Sequence, residues 1–520
     1  MAPLDDISAI DATGIAELIR EGEVSSREAV EAHLRRFESV NPRLNAIVVP
    51  RFEQALREAD GADAATKGER GPLHGVPITI KECFDLAGMP STVGLTERVG
   101  RPAAADAPLV ARLRRAGAIV LGKTNLSQLM LWAESENPVY GRTNNPWDRS
   151  RSPGGSSGGE GAAIASGCSP LGMGSDFGGS VRIPAHFCGV CALKPTSGRL
   201  TMVGSGDALD RQEALSDQAG PMARSVRDLE LAFSVLAAPE PEARDPLVPP
   251  VAVRGSSDIS IAGLRIGFYE YDGFFEASPA LRRAVREAAG ALSDLGAEVS
   301  ELRPPDVEDA YRIYLGLFSA DGGANMWRQL GDGERDPRIK PLERTAKLPR
   351  PIQRALPPLL GVARQRRLAF MAGSTGPRSV DAYWGLLAER KRYRAHFMAA
   401  LDRSRLDAVV CPPFPTPAMT HGASSKLGPV GAYTTLYNFV GMPAGVVPAT
   451  RVRAGEESDR RGKADVTDRE ARAIESGSAG LPVGVQVAAR HWREDVALAV
   501  MAALERHFRA RSDHPSGPPV

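Results

Sequence analysis

The stretch from Ser152 to Ser180 constrains this chain more than any other. It reads Ser152-Pro-Gly-Gly-Ser-Ser-Gly-Gly-Glu160, continues as an apolar run of small residues from Gly161 to Gly174, and ends Gly174-Ser-Asp-Phe-Gly-Gly-Ser180. Two serine-bearing turns thus share one glycine-rich region, with Ser156 and Ser180 standing 24 positions apart. Glycine permits tight turns and lets main-chain N–H groups face a ligand with no side chain in the way. The pattern reads as the active site of a serine hydrolase.

A serine hydroxyl attacks poorly until a base removes its proton. Histidine is the usual base, and His74, His186 and His421 lie near the segments of interest. No Gly-x-Ser-x-Gly elbow with a downstream Asp and His is evident. Lysine can replace histidine where burial and nearby positive dipoles lower its pKa. Lys81 closes the β-branched run Gly75-Val-Pro-Ile-Thr-Ile-Lys81, and alone it would read as an exposed strand end. Phe177-Gly-Gly-Ser180 offers consecutive N–H donors at one turn. Losing such a donor typically costs about 3–4 kcal/mol in the barrier. A phosphate-binding loop would need Gly-x-x-x-x-Gly-Lys-[Ser/Thr], which is absent.

At 520 residues the chain is long enough for several domains, although large α/β enzymes can form one unit. A hydrophobic share of 42%, a charged share of 24% and a net charge of +1 fit a soluble protein with no general pull towards nucleic acid or membranes. The five cysteines are too few and too scattered for a disulfide framework. Cys188-Gly-Val-Cys191 lacks a second pair or histidines at metal spacing, so buried small hydrophobes are expected there. Neither a metal nor a cofactor is expected. Met1–Asp6 is acidic and lacks a signal-peptide pattern, and no run reaches the roughly 20 apolar residues of a membrane span. The expected location is cytoplasmic.

Strand-like and helix-like segments alternate, which argues for an α/β sheet. Residues 7–66 read as N-terminal helices. Ser25-Ser-Arg-Glu28 has capping-box spacing, Asn41-Pro42 is expected to stop that helix, and a second helix, Phe52 to Ala59, is expected to end near Gly61. Leu126 to Trp132 reads as helical, and Ser225 as the cap of Val226 to Leu236. Pro239 to Ser257 looks like a linker between halves. Residues 344–372 carry seven basic residues, among them Arg364, Arg366 and Arg367, interleaved with Ile352, Leu359, Val362 and Phe370, with no acidic residue. Pro357-Pro358 is expected to split this segment into two short helices. Basic and apolar residues at helical spacing suit a membrane surface or a partner, or a core helix with a basic face. Residues 451–479 read as a surface insertion between two apolar strands, and 512–520 as a disordered tail.

Lys81, the Gly-Gly-Ser-Ser-Gly-Gly run and the Asp-Phe-Gly-Gly-Ser turn together resemble the amidase signature family. Within it the chain is most similar to fatty acid amide hydrolases, in Lys81-Glu-Cys-Phe84, Phe187-Cys-Gly-Val-Cys191, Tyr433-Thr-Thr-Leu-Tyr-Asn438, Pro443-Ala-Gly-Val-Val-Pro448 and Leu481-Pro-Val-Gly-Val-Gln486. The resemblance implies one domain over 1–520, with a central twisted mixed β-sheet flanked by helices on both faces and a catalytic core at 72–236. It implies a Ser-Ser-Lys triad: Ser180 as nucleophile, Ser156 after a cis peptide bond as proton bridge, and Lys81 as base. The N–H groups of Phe177, Gly178, Gly179 and Ser180 would form the oxyanion hole. Ser157 would support the lysine, and Asp176 the turn. Phe177 stands where a smaller aliphatic is common and Ser175 where threonine is usual, and neither is expected to touch the triad. Residues 344–376 fall where fatty acid amide hydrolases have a membrane cap, or would serve as lid helices. Tyr433 and Tyr437 read equally well as core or as substrate-pocket lining.

The reaction implied is cleavage of a carboxamide to an acid plus ammonia or amine through an acyl-enzyme, with apolar or fatty acyl groups favoured. The expected partner is a small-molecule amide, with no nucleic acid; peripheral membrane contact through 344–372 and a homodimer stay open. The alternatives are a small- or aryl-amide amidase, a glutamine amidotransferase A-type subunit, or a membrane-associated binding protein with a vestigial site. An amidotransferase would need an arginine for the glutamine carboxylate, and the sequence does not assign one.

Overall fold

The computed structural model describes residues 7–206, 212–239, 245–461 and 464–520. Met1–Asp6 and residues 240–244 of the expected linker lie outside them.

The strands are β1 (Ile47–Pro50), β2 (Pro77–Lys81), β3 (Ile119–Thr124), β4 (Glu136–Asn137), β5 (Gly141–Arg142), β6 (Leu171–Ser175), β7 (Cys191–Lys194), β8 (Ala219–Ala223), β9 (Arg265–Phe268), β10 (Glu298–Glu301), β11 (Ala408–Cys411), β12 (Ala444–Arg451) and β13 (Pro482–Ala489). Eleven of them form one sheet in the order β1-β3-β2-β6-β8-β7-β12-β13-β11-β9-β10, while β4 and β5 pair separately. The sheet is mixed. β2 runs parallel to both β3 and β6, and β9 runs parallel to β10 and β11. β6–β8, β7–β8, β7–β12, β12–β13 and β11–β13 are antiparallel. Every residue of β2, β3, β6 and β13 is buried, which explains their unbroken runs of small and apolar residues.

Helix starts follow the sequence closely. Ser25 and Glu28 form the capping box of Ser26–Leu44, and Ser225 caps Val226–Leu236. Helix ends follow it less well. Pro42 lies inside its helix, which continues to Leu44. There the Asn41 side chain closes the end by accepting the N–H groups of Ala46 and Ile47 at 2.8 and 3.0 Å. The next helix passes Gly61 and runs Phe52–Ala64. Leu126–Trp132 is no helix. A single 3-10 turn, Gln128–Met130, has Leu129 and Met130 at φ 52° and 57°. The Ser127 hydroxyl bonds both the N–H and the carbonyl of Trp132 and so competes with helical pairing.

Pro357 and Pro358 do not break their helix either. Arg350–Val362 runs through both, and the chain reverses at Arg364, φ 58°, into Arg366–Ser374. A Cβ on Gly373 would stand 3.9 Å from Pro357, so the second helix folds back onto the first. Residues 451–479 are more firmly held than a surface insertion needs to be. They carry the helix Val466–Glu475, and buried Glu475 pairs with Arg460 at 2.8 Å. Residues of the tail touch the body. Asp513 accepts from Thr450 and Arg453 at 2.8 Å, and Val520 packs near Val40 and Ile47. Among the described residues no helix is long and apolar enough to cross a membrane.

Candidate active site

Because β2 and β6 are parallel neighbours, their carboxyl ends open at one edge of the sheet, the usual place for a ligand in such folds. Lys81 ends β2 and Ser175 ends β6. The turn Ser156–Ser157 leads into the helix Gly158–Ala165, which returns the chain to β6, and Phe177–Ser180 follows that strand.

Lys81 is fully buried. Its Nζ donates to Ser156 Oγ at 2.7 Å, to Ser175 Oγ at 2.9 Å and to the Ser175 carbonyl at 3.4 Å. The Gly155–Ser156 peptide bond is cis. Ser175 therefore touches the lysine directly, against the expectation that it stands apart. Ser157, expected to support Lys81, does so at one remove: its hydroxyl bonds the carbonyl and N–H of Ser175 at 3.2 and 3.4 Å. Its own N–H donates to the Ser180 carbonyl at 3.1 Å, joining the two serine turns. Ser180, Phe177 and Gly178 are half-buried in otherwise buried surroundings, so the site opens at this turn.

The turn is built around Asp176. Its carboxylate accepts the N–H groups of Gly179 and Val181 at 2.7 and 3.2 Å, the amide of Asn438 at 2.9 Å, and Arg182 through two bonds at 2.9 and 3.0 Å. Burial pushes this carboxyl up, but the Arg182 charge and these hydrogen bonds outweigh it and hold it well below the usual range. The Gly179 N–H is thus committed to Asp176. Among the described residues, the N–H groups of Phe177, Gly178 and Ser180 make no hydrogen bond, so three of the four expected oxyanion donors are uncommitted. Gly179 sits at φ 136°, and a Cβ there would stand 2.3 Å from Thr434 Oγ1, so only glycine fits.

Tyr433 and Tyr437, read as core or pocket lining, lie in the core. Both are fully buried, on the helix Ala432–Val440, which has no exposed face. Tyr433 donates to the Phe275 carbonyl at 2.7 Å, and Tyr437 shares a hydrogen bond with Tyr269 at 3.2 Å. The residues of this helix that reach the site are Thr434 and Thr435, which donate to the Gly178 carbonyl, and Asn438. An aromatic wall stands beside the turn instead. The Phe177 ring lies 5.7 Å from both Tyr314 and Phe318, and the stack continues through Tyr311 to Phe370. None of the three candidate histidines joins the serines: His74, His186 and His421 bond the carbonyls of Ala62, Thr416 and Arg149.

Sequence reasoning missed Ser175, Arg182, Asn438 and a buried acid beneath the site, Glu160. No local signal marks Arg182 or Asn438. Glu160 was visible as a charge within an otherwise small, apolar stretch.

The family model described as Amidase matches residues 28–498. The chain belongs to the amidase signature family. It is 35% identical to fatty-acid amide hydrolase 1 of Sus scrofa over 95% of this chain and 84% of that protein. It is 34% identical to the glutamyl-tRNA(Gln) amidotransferase A-type subunit of Chromohalobacter salexigens, over 94% of each chain. A solved fatty acid amide hydrolase superposes with a TM-score of 0.85 at 25% identity, covering 98% of this chain and 87% of that one. The mixed sheet described above is the amidase signature fold, and the chain is an amide-hydrolysing enzyme.

Proposed function

We propose that this amidase works through Ser180, Ser156 and Lys81 and forms an acyl-enzyme. The observation that carries the reading is the 2.7 Å bond from fully buried Lys81 to Ser156, on a turn hydrogen-bonded to Ser180. Ser180 Oγ attacks the amide carbon, its proton passes to Ser156 Oγ, and the Ser156 proton passes to the Lys81 amine. The carbonyl oxygen becomes an oxyanion, for which Phe177, Gly178 and Ser180 supply N–H groups. Collapse of the adduct breaks the C–N bond. Lys81 returns its proton through Ser156 to the leaving nitrogen, and the acyl group stays as an ester on Ser180. Water then attacks that ester by the same relay and releases the acid.

An apolar or fatty acyl group is the favoured substrate moiety, because the aromatic wall of Phe177, Tyr314, Phe318 and Tyr311 adjoins the nucleophile's turn. Small or aryl amides are the alternative. The amidotransferase reading would need an arginine for the glutamine carboxylate, and Arg182 is not it, being spent on Asp176, Thr434, Gln486 and Asn438. Ile352, Leu359 and Val362 are exposed on the helix Arg350–Val362, beside a basic stretch, and support peripheral contact with a membrane surface.

The test is amine or ammonia release from acyl amides of increasing chain length, with intact-mass detection of the acylated protein. Ser180→Ala should abolish both signals, and retained turnover would refute the triad. A rate that is flat or falling with chain length would favour small amides.

A further inference from the structure

The loop ahead of the serine turns grips them through the main chain. Ser135 is buried, and its hydroxyl accepts the Gly158 N–H at 2.8 Å. The same hydroxyl is placed to donate to the carbonyls of Ser156 and Gly154, at 3.1 and 3.2 Å. Gly155 lies flat on the preceding residue: a Cβ there would stand 2.2 Å from the Glu134 carbonyl oxygen and 2.4 Å from its nitrogen. Ser156, whose side chain bonds Lys81, is thus held on both sides by Glu134 and Ser135.

The Glu134 side chain turns elsewhere. It is buried, accepts the N–H groups of Gly422 and Ser424 at 2.8 and 2.9 Å, and lies 3.0 Å from the Arg338 guanidinium. Arg338 is also buried, pairs with Asp336, and reaches Glu136 at 3.2 Å. Gln128 staples the same segment by accepting the Asp336 N–H and donating to the Glu334 carbonyl, each at 2.8 Å. Arg338 immediately precedes the helix Ile339–Ala346, the first of three helices. The last, Arg366–Ser374, carries Phe370 into the aromatic wall beside Phe177. Segment 338–374 is therefore fastened at one end to Glu134 beside the Ser156 turn, and at the other it stacks on Tyr311, which leads through Tyr314 to Phe177.

We propose that Glu134 and Ser135 are positioning residues for Ser156, and that Arg338 makes the seating of the helices 339–374 part of the same clamp. The inference rests on the serine–lysine reading of the site. Losing the Ser135 hydroxyl strands the Gly158 N–H and frees the Ser156 carbonyl, which lets the relay hydroxyl drift from Lys81. Losing the Arg338 charge unpairs Glu134 and loosens the same turn from the other side.

The experiment compares S135A, S135T, R338Q and R338K with the wild-type chain, using one acyl amide. Active sites are counted by titration with a fluorophosphonate, so that rates refer to folded, reactive enzyme. Misplacement of a reacting group by about 1 Å costs on the order of 100-fold. S135A and R338Q should therefore lower kcat by about 10- to 100-fold, with KM within about twofold. S135T, which keeps the hydroxyl, should recover most of the S135A loss, and R338K should fall between R338Q and wild type. Should S135A not fold, R338Q and S135T carry the test. Wild-type kcat per titrated site in S135A or R338Q, with only a lowered Tm, would overturn the proposal by reducing the clamp to a structural role. Failure of the underlying reading looks different: Ser180→Ala would retain activity whatever these variants do.

Discussion

Replacing Glu160 by glutamine should leave folding stability almost unchanged below about pH 4.5 and remove a loss that the wild-type chain suffers between there and pH 9. Glu160 is fully buried on the helix Gly158–Ala165, where its carboxyl accepts Thr79 Oγ1 at 2.6 Å and Thr124 Oγ1 at 2.9 Å. It presses on β6, where a Cβ at Gly172 would stand 2.0 Å from Oε2. Burial pushes its pKa from 4.5 up to about 8, against the smaller pull of the two threonines and Lys81. Between those values the folded chain holds a proton that the unfolded chain has released. This contribution is fully present below the unfolded value and is lost as pH rises through the folded one. From pH 6 to pH 9 the loss amounts to about 3 kcal/mol. Glutamine has the same shape and no ionisation, so E160Q should lack this slope. Urea unfolding of both proteins at pH 6, 7.5 and 9 measures it. The difference between the two is the quantity to read, because Lys194, its pKa lowered by burial to about 7, acts in the opposite direction in both. A constant difference across the three pH values would refute the assignment of a protonated Glu160.

Asp176→Ala would leave Arg182 buried without its carboxylate, and should cost about 3–5 kcal/mol in a urea melt. A loss below about 1 kcal/mol would mean that Asn438 and Gln486 hold the guanidinium unaided. Gly179→Ala should lower kcat by about 100-fold or more, because Thr434 and the turn cannot both stay in place. The double variant Leu359→Glu, Val362→Glu should weaken co-sedimentation with anionic lipid vesicles several-fold while turnover of a short, soluble amide holds. Unchanged co-sedimentation would remove the membrane-surface reading.

What was legible in the sequence shares one property: the constraint is local. Gly179 must be glycine for its own φ, Ser25 caps the helix that begins one residue later, and the β-branched run ending at Lys81 announces a strand. The misjudged residues depend on pairings that no window contains. Ser175 meets Lys81 across 94 positions because β2 and β6 are neighbours, and Arg182 reaches Asn438 across 256. Tyr433 and Tyr437 sit on a helix buried all round, where hydrophobic periodicity cannot tell core from pocket. Pro42, Pro357 and Pro358 lie inside their helices, each removing a donor without ending the run.

The disposition of the acids suits the proposed use of a lysine where a histidine usually stands. A carboxylate bonded to Lys81 would fix the ammonium form and remove it from proton transfer. Glu160 interacts with Lys81 and Asp176 stands next to Ser175, and the fold withholds each by a different means. Asp176 follows Ser175 directly, yet its charge is taken up by Arg182 and Asn438 on the far side of the turn. Glu160 interacts with Lys81 through space, but burial keeps it protonated, and its hydrogen bonds go to threonines of β2 and β3. Lys81 is left with two hydroxyls and a carbonyl as partners. Arg182, two positions after Ser180, and the protonated Glu160, four positions after Ser156, therefore serve the same end. Both keep negative charge off the amine that, in the proposed relay, accepts a proton and gives it back.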